Sequence, residues 1–145
     1  MKVRDVMTRD VIPVDPGESV ETAARTLTQY NIGMLPVCHA DGSLCGLVTD
    51  RDLVIRCLAS GKKPAATPIR DVMTARVISV TPDMELGAAA HLMGKQQVRR
   101  LPVTEKGKLC GIITLGDLAQ REDSVMDAAD ALGDIADPLG RPDSW

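Results

Sequence analysis

Apolar positions along the 145-residue chain switch between two periods, and the whole pattern occurs twice. In the first pass a β-branched run, Val11-Ile12-Pro13-Val14, leads through a turn holding Pro16 into a segment where Val20, Ala23, Ala24 and Leu27 recur at helical spacing. Two strand-like runs follow, Leu35 to Cys38 and Leu44 to Val48, joined by a turn containing Asp41-Gly42. A closing helix is expected after Thr49, carrying Leu53, Val54, Cys57 and Leu58 and ending at Gly61, a residue suited to the left-handed C′ position. The second pass repeats each step. Val77 to Val80 precede a stripe of Leu86, Ala89, Ala90 and Met93; strands Leu101 to Val103 and Leu109 to Ile113 flank Lys106-Gly107, and a closing helix follows Thr114.

The repetition extends to residue identity. Asp5-Val6-Met7-Thr8 recurs as Asp71-Val72-Met73-Thr74, and Leu35-Pro36-Val37 as Leu101-Pro102-Val103, each 66 residues on. Leu44-Cys45-Gly46-Leu47-Val48-Thr49 then matches Leu109-Cys110-Gly111-Ile112-Ile113-Thr114 at 65, because the turn before it is one residue shorter. Turns are where a duplicated fold tolerates such a change. The expected fold is α/β (α+β), two β-α-β-β-α repeats packed as a pseudo-twofold pair: repeat 1 over 1–61, a linker over 62–69, repeat 2 over 70–121 and an extension over 122–145. A unit of about 60 residues buries too little surface to be comfortable alone, which favours packing of one copy on the other.

Composition narrows the function. The chain has no Phe, one Tyr and one Trp, so it lacks the aromatic platforms on which single-strand and RNA-binding sheets stack bases. A net charge of −3 also argues against nucleic acid. That charge is unevenly spread. Seven acids (Glu122, Asp123, Asp127, Asp130, Asp134, Asp137, Asp143) against Arg141 put −6 on the extension, which leaves +3 on residues 1–121. Within the extension Val125, Ala129, Leu132 and Ala136 recur at helical spacing, so an amphipathic helix is expected before Pro138. No run reaches the roughly 20 apolar residues of a membrane span, and the opening residues lack the apolar stretch of a signal peptide, so a cytoplasmic location is expected. Cys38, Cys45, Cys57 and Cys110 show no C-x-x-C spacing and His39 and His91 stand in unrelated contexts, so no metal site is expected and the thiols read as small buried apolar groups.

The ordered set of Asp-Val-Met-Thr, Leu-Pro-Val and Gly-Leu-Val-Thr-Asp-Arg-Asp-Leu, answered by Gly-Ile-Ile-Thr-Leu-Gly-Asp-Leu, resembles the cystathionine β-synthase (CBS) domain, which occurs as a tandem pair called a Bateman module. The resemblance covers residues 1 to about 121. It implies a non-catalytic regulatory module that binds adenosine-containing ligands (AMP, ADP, ATP, in some members NAD or S-adenosylmethionine) in clefts between the paired repeats. An adenine nucleotide is then a regulatory ligand, and no cofactor is required.

Thr49-Asp50-Arg51-Asp52 and Thr114-Leu115-Gly116-Asp117 place a hydroxyl at a helix N-cap and a carboxylate three residues on, which is a capping box with Asp in the place of Glu. The same groups suit a nucleoside: a carboxylate accepts from ribose hydroxyls, while the Thr hydroxyl and helix N-terminal amides face phosphate. Both roles can hold at once. The resemblance adds an adenine slot made by the first strand and the start of the second, here Ile12 with Ile32 and Gly33, and Ile78 with Val98. It adds Thr8 and Thr74 near the base or ribose, and Arg99-Arg100 reaching phosphates held by the other repeat, with Arg51 beside them. One group is thus Thr8, Ile12, Ile32, Gly33, Thr49, Arg51, Asp52, Arg99 and Arg100; the other is Thr74, Ile78, Val98, Thr114 and Asp117. Guanidinium forks match phosphate bidentately, so the first group is expected to take the more phosphorylated ligand.

The resemblance further implies a homodimer through the closing helices and signalling to a regulated protein whose identity the chain does not reveal. The competing reading is a ligand-free dimerisation or interaction scaffold whose T-x-x-D boxes only cap helices. An enzyme is not expected, since no nucleophile–base pair, metal-ligand spacing or Gly-rich phosphate loop is visible.

Overall fold

The computed structural model describes residues 1–121 and 124–136. The acids Glu122, Asp123, Asp137 and Asp143 of the extension lie outside the described residues. Helix α1 (Val20–Tyr30) is followed by strands β1 (Met34–Cys38) and β2 (Leu44–Thr49), then helix α2 (Asp50–Asp52), which a π-helical turn, Leu53–Leu58, continues. The second copy runs as α3 (Leu86–Gln96), β3 (Arg100–Glu105), β4 (Lys108–Thr114) and α4 (Leu115–Ala119), and α5 (Val125–Ala136) follows. Each copy therefore contributes one two-stranded sheet, with β1 and β2 antiparallel. Among the described residues no helix is long and apolar enough to cross a membrane.

The helical stripes fall where the spacing puts them except at Ala24, an expected member of the first stripe that is exposed. Val20, Ala23 and Leu27 of α1 and Leu86, Ala89, Ala90 and Met93 of α3 are buried. Ser19 caps α1 by accepting from the Thr22 amide at 3.1 Å. Both helices end on a left-handed residue at equivalent positions, Asn31 (φ 52°) and Gln97 (φ 58°).

The opening strands are shorter than expected. Val11–Val14 contributes a single parallel bridge, Val14 to Val37, and Val77–Val80 a single bridge, Val80 to Val103. The Val14 amide donates to the Pro36 carbonyl at 2.9 Å and the Cys38 amide to the Val14 carbonyl at 2.9 Å. The next rung of a parallel ladder would need an N–H from Pro36 to reach Ile12, and proline has none. Pro102 blocks Ile78 in the same way, so the Leu-Pro-Val motif itself stops the ladder.

The chain divides into two compact units. One comprises Met1–Asp10, Ile78–Glu105 and the chain from Cys110 on; the other comprises Val11–Val77 with Lys106–Leu109. Each unit therefore contains the Asp-Val-Met-Thr segment that opens the other copy. In the Val11–Val77 unit the core is built from Val14, Val20, Leu35, Val37, Val48 and Ile69 with their neighbours. The linker is part of that unit, since the Thr67 carbonyl accepts from Val20 and the Ile69 amide donates to Glu18 at 2.7 Å.

In the other unit the core joins Val3 and Met7 to Val80, Met93, Leu101, Val103 and Leu118, and α5 packs on α3 and α4. The buried positions of α5 are Ala128 and Ala131, whereas Val125 and Leu132, read from the sequence as its apolar stripe, stay 41% and 44% exposed. Close approach decides which face goes in. A Cβ at Gly94 of α3 would lie 3.2 Å from the Ala131 Cα and 2.7 Å from a carboxylate oxygen of Asp134, so only small residues fit the seam.

Candidate functional site

Both T-x-x-D segments form reciprocal capping boxes. The Asp52 amide donates to Thr49 Oγ1 at 3.1 Å, and the Thr49 amide donates to Asp52 Oδ2 at 2.9 Å. Thr114 and Asp117 repeat the arrangement with the same two distances, 3.1 and 2.9 Å. Each box satisfies two helix-end amides that would otherwise lack partners. It commits only Oδ2 of each carboxylate; Oδ1 accepts no hydrogen bond among the described residues.

The start of the second strand is tied to the same helix end. The Asp50 amide donates to the Gly33 carbonyl at 3.1 Å, and at the matching place in the second copy the Leu115 amide donates to the Arg99 carbonyl at 2.8 Å. Ile32 and Gly33 therefore stand beside Thr49 and Asp52, and Val98 and Arg99 beside Thr114 and Asp117. Ile32 is 42% exposed and Ile78 37% exposed, so these two leave an apolar surface outside the core.

The opening threonines are positioned by backbone pairing. Thr74 and Leu47 exchange both hydrogen bonds, at 2.8 and 2.9 Å, two residues before Thr49; Thr8 and Ile112 do the same at 2.9 Å, two residues before Thr114. Glycine makes this approach possible. A Cβ at Gly46 would sit 2.7 Å from Met73 Sδ and 2.9 Å from the Thr74 carbonyl oxygen, and one at Gly111 would sit 2.9 Å from both Met7 Sδ and the Thr8 carbonyl oxygen. Sequence reasoning passed over Gly46 and Gly111, although a lone glycine inside a strand pattern is itself a sign of close backbone approach.

The expected site residues are distributed over both units. Ile12, Ile32, Gly33, Thr49, Arg51, Asp52 and Thr74 belong to the Val11–Val77 unit. Thr8, Ile78, Val98, Arg99, Arg100, Thr114 and Asp117 belong to the other. Thr8, Arg99 and Arg100, expected to serve the Asp52 group, lie in the unit of Asp117, and Thr74, expected with Asp117, lies in the unit of Asp52. Arg99 and Arg100 line a cavity of about 530 Å³ together with Thr114, Gly116, Ala129 and Leu132. Its guanidiniums and apolar α5 wall suit an anion with a hydrophobic flank.

Among the described residues no group of three or more His, Cys, Asp or Glu side chains is arranged to hold a metal ion. The cysteines are free thiols. Burial, with the nearby Cys45 and Asp41 adding to it, pushes the Cys38 thiol up to about 11, and burial also raises Cys45 and Cys110. Raised thiol pKa values disfavour the reactive thiolate.

The model of the CBS domain matches twice, over residues 3–58 and 69–124. The CBS domain-containing protein YhcV of Bacillus subtilis is 40% identical over 134 residues, covering 92% of this chain and 94% of its own. A crystal structure of Hypoxic Response Protein I with two coordinated zinc ions superposes with a TM-score of 0.77 at 33% identity, covering 83% of this chain and 98% of that one. The CBS domain pair of protein MJ0100, in complex with 5′-methylthioadenosine and S-adenosyl-L-methionine, superposes at 0.74 with 29% identity over 83% of this chain and 94% of that one. With two matched copies and the shared fold, the chain belongs to the CBS-domain family as a tandem CBS pair.

Proposed function

We propose that this protein is a non-catalytic sensor that binds adenosine-containing ligands at its Thr49–Asp52 and Thr114–Asp117 groups and passes their occupancy to a partner protein. The observation that carries this reading is the half-committed carboxylate. Each box uses one oxygen to cap its helix and keeps the second as an acceptor for a ribose hydroxyl, beside a branched aliphatic for a purine face, exposed Ile32 at the first box and half-buried Val98 at the second. Hydrogen bonds to a charged acceptor are the stronger kind, so a ribose diol there supplies orientation as well as affinity. The methylthioadenosine and S-adenosylmethionine complex of the MJ0100 pair supports the same ligand class. AMP, ADP, ATP, NAD and S-adenosylmethionine are the candidates, with Arg99 and Arg100 as the phosphate-binding side chains.

The proposed protein acts in the cytoplasm as a homodimer. Val54, Ile55 and Leu58 of the closing helix, 55%, 46% and 62% exposed, supply an apolar patch for a second copy. A ligand couples to the partner only through its different affinities for two arrangements of the protein. That patch equally favours the scaffold reading, in which association is the whole function. Calorimetric titration of the six compounds adenosine, AMP, ADP, ATP, NAD and S-adenosylmethionine separates the two. A sensor shows saturable binding that Asp52→Ala and Asp117→Ala each reduce, whereas a scaffold shows no heat with any of them.

A further inference from the structure

The two boxes differ in one contact that the duplication does not predict. Arg56 lies four residues beyond Asp52, with its Nε 3.8 Å from Asp52 Oδ1. Its Nη1 also donates to the carbonyl oxygens of Met73 at 3.1 Å and Val72 at 3.4 Å. One guanidinium therefore touches both the carboxylate and the backbone that delivers Thr74 to Leu47, all within the Val11–Val77 unit. The residue in register in the second copy is also an arginine, Arg121, four residues beyond Asp117. It makes no ion pair among the described residues, and the reason is helix length. Helix α4 ends at Ala119 with Gln120 as its C-cap, so Arg121 is past the helix. In the first copy the π turn Leu53–Leu58 keeps the chain helical through Arg56, with the Ala59 amide donating five residues back to Val54 at 2.8 Å. Such widened turns are uncommon and recur where side chains are aimed for function.

We propose that Arg56 is a positioning and charge-setting residue of the Asp52 group, which lets that group accept a phosphorylated adenosine ligand and holds Thr74 in place beside it. The inference rests on the ligand-binding reading above and extends it to the choice among ligands. Asp52 is only 9% exposed, so an uncompensated carboxylate there would repel a phosphate carried on the same ribose. Arg56 lies 3.8 Å from the oxygen the capping box leaves over and offsets its charge without a hydrogen bond to it, so that oxygen stays open to a ribose hydroxyl. Because the side chain is half exposed, its effect is a matter of several-fold in affinity rather than of all-or-none binding.

The experiment titrates AMP and adenosine calorimetrically into an Asp117→Ala background, so that the Asp52 group is read alone, and repeats both titrations with Arg56→Met and Arg56→Lys added. Arg56→Met is expected to weaken AMP about 5-fold more than adenosine. Arg56→Lys, which keeps the charge and gives up the forked contact to Val72 and Met73, is expected to retain most of the preference for AMP. An unchanged AMP-to-adenosine ratio in Arg56→Met, or an equal loss of both ligands, overturns the inference while leaving the binding reading intact. Failure of the Asp117→Ala background to bind either ligand overturns both.

Discussion

Thr8 and Ile112 exchange both of their backbone hydrogen bonds at 2.9 Å, although Thr8 opens the first copy and Ile112 lies on the last strand of the second. Thr74 and Leu47 form the mirror relationship. Each T-x-x-D box is thus approached by a threonine from the other copy, and neither copy assembles its candidate site from its own residues alone. The glycine beneath each threonine is what admits it.

Substitution of that glycine tests the relationship. Gly46→Ala and Gly111→Ala each place a methyl group 2.9 Å from the backbone carbonyl oxygen of a residue held by two backbone hydrogen bonds, Thr74 and Thr8 respectively. Overpacking of this kind costs about 1–3 kcal/mol. Urea denaturation should show each variant destabilised by that amount, and wild-type stability in either would mean that the threonine segment is not held where the structure places it.

Association should depend on the closing helix of the first copy. Leu58 is 62% exposed, so Leu58→Asp removes little from the core and puts a charge into the patch formed with Val54 and Ile55. Light scattering on the wild-type protein is expected to give the mass of two chains and on Leu58→Asp the mass of one. Equal masses for the two proteins would take this surface out of the dimer.

The thiols make a pH prediction. Burial raises Cys38 from 9.0 to about 11, so the native state keeps its proton where the unfolded chain loses it. Below pH 9 both states are protonated and the group costs nothing; between 9 and about 11 the unfolded state ionises first, and stability falls with rising pH. Equilibrium unfolding at a series of alkaline pH values should show a shallower decline over this window in Cys38→Ala than in the wild type. Identical slopes would show that Cys38 is not the buried thiol responsible.

Much of this was legible in the chain because the duplication repeats its local signals. The α1 and α3 stripes, the β1–β2 and β3–β4 pairs and both capping boxes stand where spacing and motif put them. The departures came from partners that a local pattern does not encode. Pro36 and Pro102 lie on the strands that the opening segments must pair with, so Val11–Val14 and Val77–Val80 keep one bridge each. On α5 the apolar count favoured Val125 and Leu132, yet the residues buried against the glycine-lined seam of α3 are Ala128 and Ala131, with Ile135 partly buried. Thr8 and Thr74 read alike, and nothing in either segment says which copy it will pair with. Arg56 and Arg121 also read alike, and only the helix that follows one box and ends early after the other tells them apart.

The central claim is that the two capping boxes are also nucleoside sites, and thermal unfolding with added ligand tests it most directly. A ligand that binds only the native state at 100 times its Kd adds about 2.7 kcal/mol of stability, which for a chain of this size raises Tm by roughly 5–10 °C. Such a rise is expected with at least one of adenosine, AMP, ADP, ATP, NAD or S-adenosylmethionine at millimolar concentration, and its loss when Asp52→Ala and Asp117→Ala are combined. An unshifted Tm with all six, or a shift that the double variant keeps, would contradict it.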